Sequence, residues 1–151
     1  MQNKNEFSLL VRVRYGECDA QQVVFNARYA DYVDLALTEY MRHKIGGFQT
    51  LLAQGLDNQV VNLNMDFRSS ARFDDVLEIE VQVLHLGNTS YRCGLTMRQY
   101  GTKQVVVEAQ ITYVMVDSTH FQKTPLSPWF KEQLSVPSAP VIINQAAIDL
   151  Y

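Results

Sequence analysis

Apolar and polar positions alternate from Phe7 to Arg14. Phe7, Leu9, Val11 and Val13 fall on one side, Ser8, Arg12 and Arg14 on the other, and Leu10 is the exception. Alternation with period two predicts a strand. The pattern stops at residues 15–22, Tyr-Gly-Glu-Cys-Asp-Ala-Gln-Gln, a polar stretch without a period that predicts a substantial loop. From Asn26 to Lys44 the spacing becomes helical. Ala30, Val33, Ala36, Leu37, Tyr40 and Met41 form an apolar stripe, with Asp31, Asp34, Thr38 and Arg42 opposite. Asn26 is the expected N-cap. His43 and Lys44 suit the negative end of the helix dipole, and Gly46-Gly47 ends it.

Strands follow. Val61, Leu63, Met65 and Phe67 alternate with Asn62, Asn64, Asp66 and Arg68; Leu77, Ile79, Val81 and Val83 alternate with Glu78, Glu80 and Gln82. Tyr91, Cys93, Leu95 and Met97 repeat the pattern, as do Val105, Val107, Ala109, Ile111, Tyr113 and Met115. Gly87-Asn88 and Gly101-Thr102 read as tight turns, so the last three strands form an antiparallel meander. Beyond Asp117 the tail carries Pro125, Pro128, Pro137 and Pro140 and is expected to wrap the surface, with a short helical piece from Trp129 to Leu134. One amphipathic helix must bury its stripe, and a curved antiparallel sheet offers the face to do so. The reading is α+β: one five-stranded antiparallel sheet around one long helix. It is a single domain over 1–151, with a body at 7–117 and a tail at 118–151. The final strand, Val105 to Val116, is expected to present an edge or face that a second copy covers.

Composition narrows the function classes. Of 151 residues 47% are hydrophobic, enough for a real core, and the net charge of -3 leaves no sequence-wide nucleic-acid footprint. No polybasic run and no continuous apolar stretch of ~18 residues suggest a membrane partner. The amino-terminal residues 1–6 are polar and lack the apolar segment of a secretion signal, so the cytoplasm is the expected compartment. Cys18 and Cys93 have neither CxxC spacing nor a histidine partner pattern and read as reduced, packed thiols.

The candidate chemistry lies in the loop before the helix. Glu17 and Asp19 precede the apolar run Val23-Val24-Phe25, which should anchor the loop. A carboxylate against an apolar wall can serve as base or nucleophile, while an aspartate in a turn can also be only a turn former. The first amides of a helix carry partial positive charge and suit a carbonyl oxygen that gains negative charge. His43, His85 and His120 are far apart and show no HExxH spacing, so no metal site is expected. A GxSxG elbow and a glycine-rich phosphate loop are also absent, and no cofactor is implied.

Residues 13–29, Val-Arg-Tyr-Gly-Glu-Cys-Asp-Ala-Gln-Gln-Val-Val-Phe-Asn-Ala-Arg-Tyr, resemble the signature of the 4-hydroxybenzoyl-CoA thioesterase-like branch of the hotdog superfamily. That signature is an aromatic-rich strand end, an acidic loop, D-x-x-x-V-V-[YF]-[HN], and a tyrosine opening the long helix. Thr38-Glu39-Tyr40-Met41-Arg42 continues in the family style. The block at 67–78, Phe-Arg-Ser-Ser-Ala-Arg-Phe-Asp-Asp-Val-Leu-Glu, resembles the family's passage from its second strand into its third.

The resemblance covers residues 7–117. It implies a hotdog fold, a homodimer or homotetramer with its active site at the subunit interface, and hydrolysis of an acyl-CoA thioester. It places the catalytic aspartate on Asp19, as nucleophile or general base. Asn26 stands where the family often has histidine, which removes a titratable group and leaves capping, alone or with positioning of a carbonyl or water. Val24, Phe25, Tyr15 and Tyr29 are candidates for acyl contacts as well as for packing. Arg68 and Arg72 can meet CoA phosphates or pair with Asp74 and Asp75. Glu39 sits too late in the helix to match the catalytic acid of other hotdog branches. Glu17→Gln is expected to cost far less activity than Asp19→Asn.

Two other functions compete. A hotdog dehydratase or hydratase needs a histidine and an acid together, and this loop has no histidine. A non-catalytic acyl-CoA-binding module would hold an unpaired carboxylate beside an apolar site at a cost in free energy and without a task.

Overall fold

A computed structural model describes residues 6–150 of the chain. The expectation about a targeting segment rests almost wholly on residues outside that range. The elements, in chain order, are β1 (Phe7–Arg12), α1 (Arg28–Ile45), α2 (Phe48–Ala53), β2 (Leu56–Phe67), β3 (Val76–Leu86), β4 (Ser90–Gln99), β5 (Val105–Asp117), α3 (Pro128–Ser135) and β6 (Val141–Asn144). A short 3-10 turn, Tyr15–Glu17, follows β1.

The long helix buries Tyr29, Tyr32, Val33, Ala36, Leu37, Tyr40, Met41 and Ile45: the expected stripe with Tyr29 and Tyr32 added at its start and Ile45 at its end, and with Ala30 only half-buried. Gly46 ends it at φ 85, a left-handed cap that donates to Arg42 and Met41 carbonyls. The stripe shares one core with apolar residues of every long strand: Leu9 and Val11 of β1, Met65 of β2, Ile79 and Val81 of β3, Cys93, Leu95 and Met97 of β4, Ala109 and Ile111 of β5, and Tyr29 meets Phe67 of β2 at 5.7 Å. Phe7 meets Tyr40 edge to face at 5.5 Å, and Tyr91 stacks on Tyr113 at 5.1 Å. Burial pushes the Cys93 thiol up to about 12, so it stays protonated and acts as a small apolar side chain. The result is one sheet wrapped around one helix, the hotdog architecture.

Four expectations need correction. The sheet has six strands in the order β2-β5-β4-β3-β1-β6, and its last strand is parallel to β1, so the sheet is mixed. That strand is Val-Ile-Ile-Asn, four residues directly after Pro140, too short to show a period. Second, β5 is not an edge: β2 and β4 flank it on both sides. The exposed edge is β2, whose Val60, Val61, Leu63 and Phe67 are 54%, 57%, 36% and 51% accessible. Its alternating face was expected in the core, but a bulge between Val60 and Asn62 and the lack of a further strand leave it uncovered. Third, the tail does not merely wrap the surface. Ser127 caps α3 by accepting from the Phe130 amide at 3.1 Å, and Phe130 buries completely against Tyr91. Buried Lys44, at the end of α1, holds the tail through the Val136 carbonyl (3.0 Å), Ser138 (3.3 Å) and Glu6 (3.4 Å). Fourth, the helix starts at Arg28, and its N-cap is Ala27 with no side-chain cap, not Asn26. Here a tight turn closes locally: the Arg28 amide donates to Phe25 (2.8 Å), Tyr29 to Asn26 (3.3 Å) and Ala30 to Ala27 (3.2 Å).

Candidate active site

The loop between β1 and α1 is a small hairpin. Cys18 and Val24 form an antiparallel bridge, the Asp19 amide donates to the Val23 carbonyl at 2.9 Å, and the Phe25 amide to the Glu17 carbonyl at 2.9 Å. Its tip closes where the Gln22 amide donates to the Asp19 carbonyl at 2.9 Å. Val24, fully packed, anchors the returning strand and donates its amide to the Ala71 carbonyl at 2.9 Å. The Ala71 amide in turn donates to the hydroxyl of buried Tyr29 at 3.2 Å. The β2–β3 connection is thus clamped to the hairpin and to the first turn of α1.

Asp19 is half-buried at the base of the hairpin tip. Its Oδ1 accepts from the Gln21 amide at 2.8 Å, an Asx-type turn that fixes the carboxyl plane. Its other oxygen makes no hydrogen bond among the described residues. Two clefts meet at this carboxylate. One, of about 420 Å³, is lined by Tyr15, Cys18, Asp19, Gln22, Arg72 and Phe73. The other, of about 230 Å³, has Asp19, Val24, Phe25, Asn26, Tyr29 and Phe67 on its wall. Tyr15 and Phe73 are 81% and 55% exposed and meet edge to face at 5.8 Å, so the larger cleft has an aromatic lip. The amides of Asn26 and Ala27 make no backbone hydrogen bond among the described residues. These, and not the amides of Arg28 to Ala30, are the donors the helix start leaves free.

The sequence candidates therefore divide. Asp19, Asn26, Val24, Phe25 and Tyr29 share the smaller cleft; Asp19, Tyr15 and Arg72 share the larger. Arg68 lines neither: its guanidinium pairs with Glu108 at 3.1 Å and reaches Asp66 at 3.9 Å. The pairing partners foreseen for these arginines were Asp74 and Asp75. Asp74 instead pairs with Arg12 at 3.2 Å, and Asp75 accepts from the Arg72 amide, not its guanidinium, at 2.8 Å.

Glu17 is the residue that sequence reasoning undervalued. It is 7% exposed, and its Oε1 accepts from the Arg14 amide at 2.7 Å and the Tyr32 hydroxyl at 2.8 Å; Oε2 meets the Arg14 guanidinium at 3.2 Å. Burial pushes its pKa up, but those hydrogen bonds and the Arg14 charge outweigh it and hold the carboxyl below the ordinary range. Tyr32, buried and donating to a carboxylate, is pushed well above the ordinary tyrosine range. Glu17 is the brace that ties the hairpin stem to α1. The sequence signal was Arg14 and Glu17 at capping-box spacing around the 3-10 turn.

The sequence pattern of the thioesterase superfamily matches residues 21–106, more than half of the chain. The chain belongs to the thioesterase superfamily. It is 32% identical over 116 residues to the acyl-CoA thioester hydrolase YbgC of Escherichia coli O6:H1, a match over 76% of this chain and 85% of that one. It is 29% identical over 124 residues to the long-chain acyl-CoA thioesterase FadM of Escherichia coli K12, covering 82% and 93% of the two chains. The crystal structure of a thioesterase-superfamily protein from Jannaschia superposes with a TM-score of 0.82 at 21% identity, over 91% of this chain and 99% of that one, which supports the fold. Thioester hydrolysis is the reaction class of this chain, as the resemblance implied. Its described helices include none long and apolar enough to cross a membrane.

Proposed function

We propose that this chain hydrolyses the thioester of an acyl-CoA to free acid and CoA, with Asp19 as the catalytic carboxylate. The observation that carries this reading is one carboxylate with a free oxygen at the junction of two clefts, one of them also lined by Asn26, whose amide at the helix start is unengaged. Asp19 either takes a proton from water, whose oxygen then attacks the carbonyl carbon, or attacks that carbon itself to form a mixed anhydride that water cleaves. In both routes the C–S bond breaks, the oxyanion accepts from the Asn26 amide, and the departing thiolate takes up a proton that comes from the water consumed. Asn26, without a titratable group, serves through its amide position. Val24, Phe25 and Tyr29 wall the smaller cleft; Tyr15 and Arg72 border the larger, where Arg72 is the cation available to a CoA phosphate. Product analysis tests the reading: acid and CoA thiol should appear in equal amounts. Hydration of an enoyl-CoA with its thioester intact would establish the dehydratase alternative instead.

The catalytic groups proposed are a carboxylate and a backbone amide, whose chemistry calls for no metal ion. Activity should survive exhaustive chelation; loss on chelation, restored by a divalent ion, would contradict the mechanism.

The active form is a homo-oligomer, at least a dimer, in the cytoplasm, where the free thiols Cys18 and Cys93 stay reduced. The edge of β2 is the pairing surface, because its unpaired backbone and exposed Val60, Val61 and Leu63 invite a second copy. Phe67, at the end of the same strand, lines a cleft on Asp19, so assembly and activity are coupled. Val61→Lys should dissociate the assembly in sedimentation and lower activity with it. A fully active wild-type monomer at assay concentration would refute the coupling.

A further inference from the structure

Gln22 holds a backbone conformation that its side chain does not favour. Its φ is 64, in the left-handed region, at the tip of the hairpin that carries Asp19. Glycine adopts this region freely and Asn or Asp tolerate it through their short polar side chains, but a glutamine gains no such relief. Asp74, Lys103, Phe121 and Ala147 also hold a positive φ, but of these five residues Gln22 alone lines a cleft with Asp19.

Gln22 lines the 420 Å³ cleft together with Asp19, Cys18 and Arg72. Its amide is used by the turn, donating to the Asp19 carbonyl at 2.9 Å, which locks the two residues in one four-residue unit. Its side-chain carboxamide has no hydrogen-bond partner among the described residues, and the residue is exposed. A carboxamide offers two N–H donors, and in this cleft it stands beside the carboxylate proposed to act.

We propose that Gln22 is a further substrate-contacting residue, whose carboxamide donates a hydrogen bond to the thioester carbonyl oxygen and holds the carbonyl carbon toward Asp19. This rests on the reading of Asp19 as the catalytic carboxylate. Gln22 lines the larger cleft and Asn26 the smaller, with Asp19 common to both. The role of the Gln22 donor is strongest as the oxygen gains charge, so its loss shows in kcat more than in KM.

The role and the turn make opposite demands, which makes the test decisive. Gln22→Gly relieves the left-handed strain and removes the donor. Gln22→Met keeps the length and the strain and removes the donor alone. Both folded variants should lose at least about 10-fold in kcat on an acyl-CoA, with KM moving far less and the shape of the pH–rate profile unchanged. The Gly variant should melt at or above the wild-type temperature. A Met variant with wild-type kcat overturns the donor role whatever the Gly variant does, because any loss in the Gly variant would then come from a looser hairpin. A Gly variant that gains stability and keeps its activity overturns it equally, as Gln22 would then be only a turn residue. In both cases wild-type hydrolysis stands, and only Gln22 leaves the mechanism. A wild-type protein that releases no thiol from any acyl-CoA overturns the reading of Asp19 and the role of Gln22 together.

Discussion

Asp19→Asn should lower kcat by about 10² or more, in line with loss of a general base or nucleophile, while KM changes much less. Asparagine keeps the carbonyl oxygen that accepts from the Gln21 amide, so the Asx-type turn survives and the hairpin stays closed. What disappears is the charge and basicity of the oxygen that faces the clefts. Circular dichroism and the melting temperature should match wild type. A folded Asp19→Asn protein with wild-type kcat would remove Asp19 from the chemistry, and Glu17 could not replace it, because its oxygens are engaged by Arg14 and Tyr32.

Glu17→Ala should instead cost stability. It leaves the Arg14 amide and the Tyr32 hydroxyl without their acceptor in a buried site, and hydrogen bonds to a charged group are each worth about 1.5–3 kcal/mol. A loss of about 3 kcal/mol follows, or roughly 10 °C in melting temperature for a domain of this size. The pH dependence has a definite sign. Folding lowers the pKa of Glu17, so the unfolded chain binds the proton more readily. The stabilisation is complete above the unfolded value of about 4.3 and disappears as pH falls through the folded one. Urea unfolding at pH 7 and pH 3 should therefore show a wider gap between wild type and variant at the higher pH than at the lower. A gap independent of pH would mean that packing, and not the ionised carboxylate, is what Glu17 provides. Activity should fall as well, since the hairpin stem that carries Asp19 loses its tie to α1.

How much of this was legible in the chain follows from the range over which each interaction acts. Val33, Ala36, Leu37, Tyr40 and Met41 announce α1 because helical spacing is local, and Gly46 announces its end because only a glycine suits φ 85 there. The start of α1 was misplaced at Asn26 because carbonyls of Phe25, Asn26 and Ala27 satisfy its first amides, and no side-chain cap is needed. Alternation identified the strand β2 but said nothing about its neighbours, so the exposure of Val60, Val61 and Leu63 appears only when the strand order is known. Asp19 was legible through the family signature around it. The brace from Glu17 to Tyr32 was not, because it joins a loop to a helix across fifteen residues and leaves no periodic trace. The strain at Gln22 was equally hidden, since glutamine carries none of the usual turn preference of Gly, Asn or Asp.

Thiol release by the wild-type protein across aromatic, short aliphatic and long aliphatic acyl-CoAs, followed with a colourimetric thiol reagent, separates hydrolysis from binding. Catalytic turnover is expected on at least one class, many CoA molecules released per protein chain, in the presence of a chelator. A folded protein that binds these acyl-CoAs with saturable affinity and releases no thiol would contradict it, and would make the chain an acyl-CoA-binding module built on a thioesterase fold.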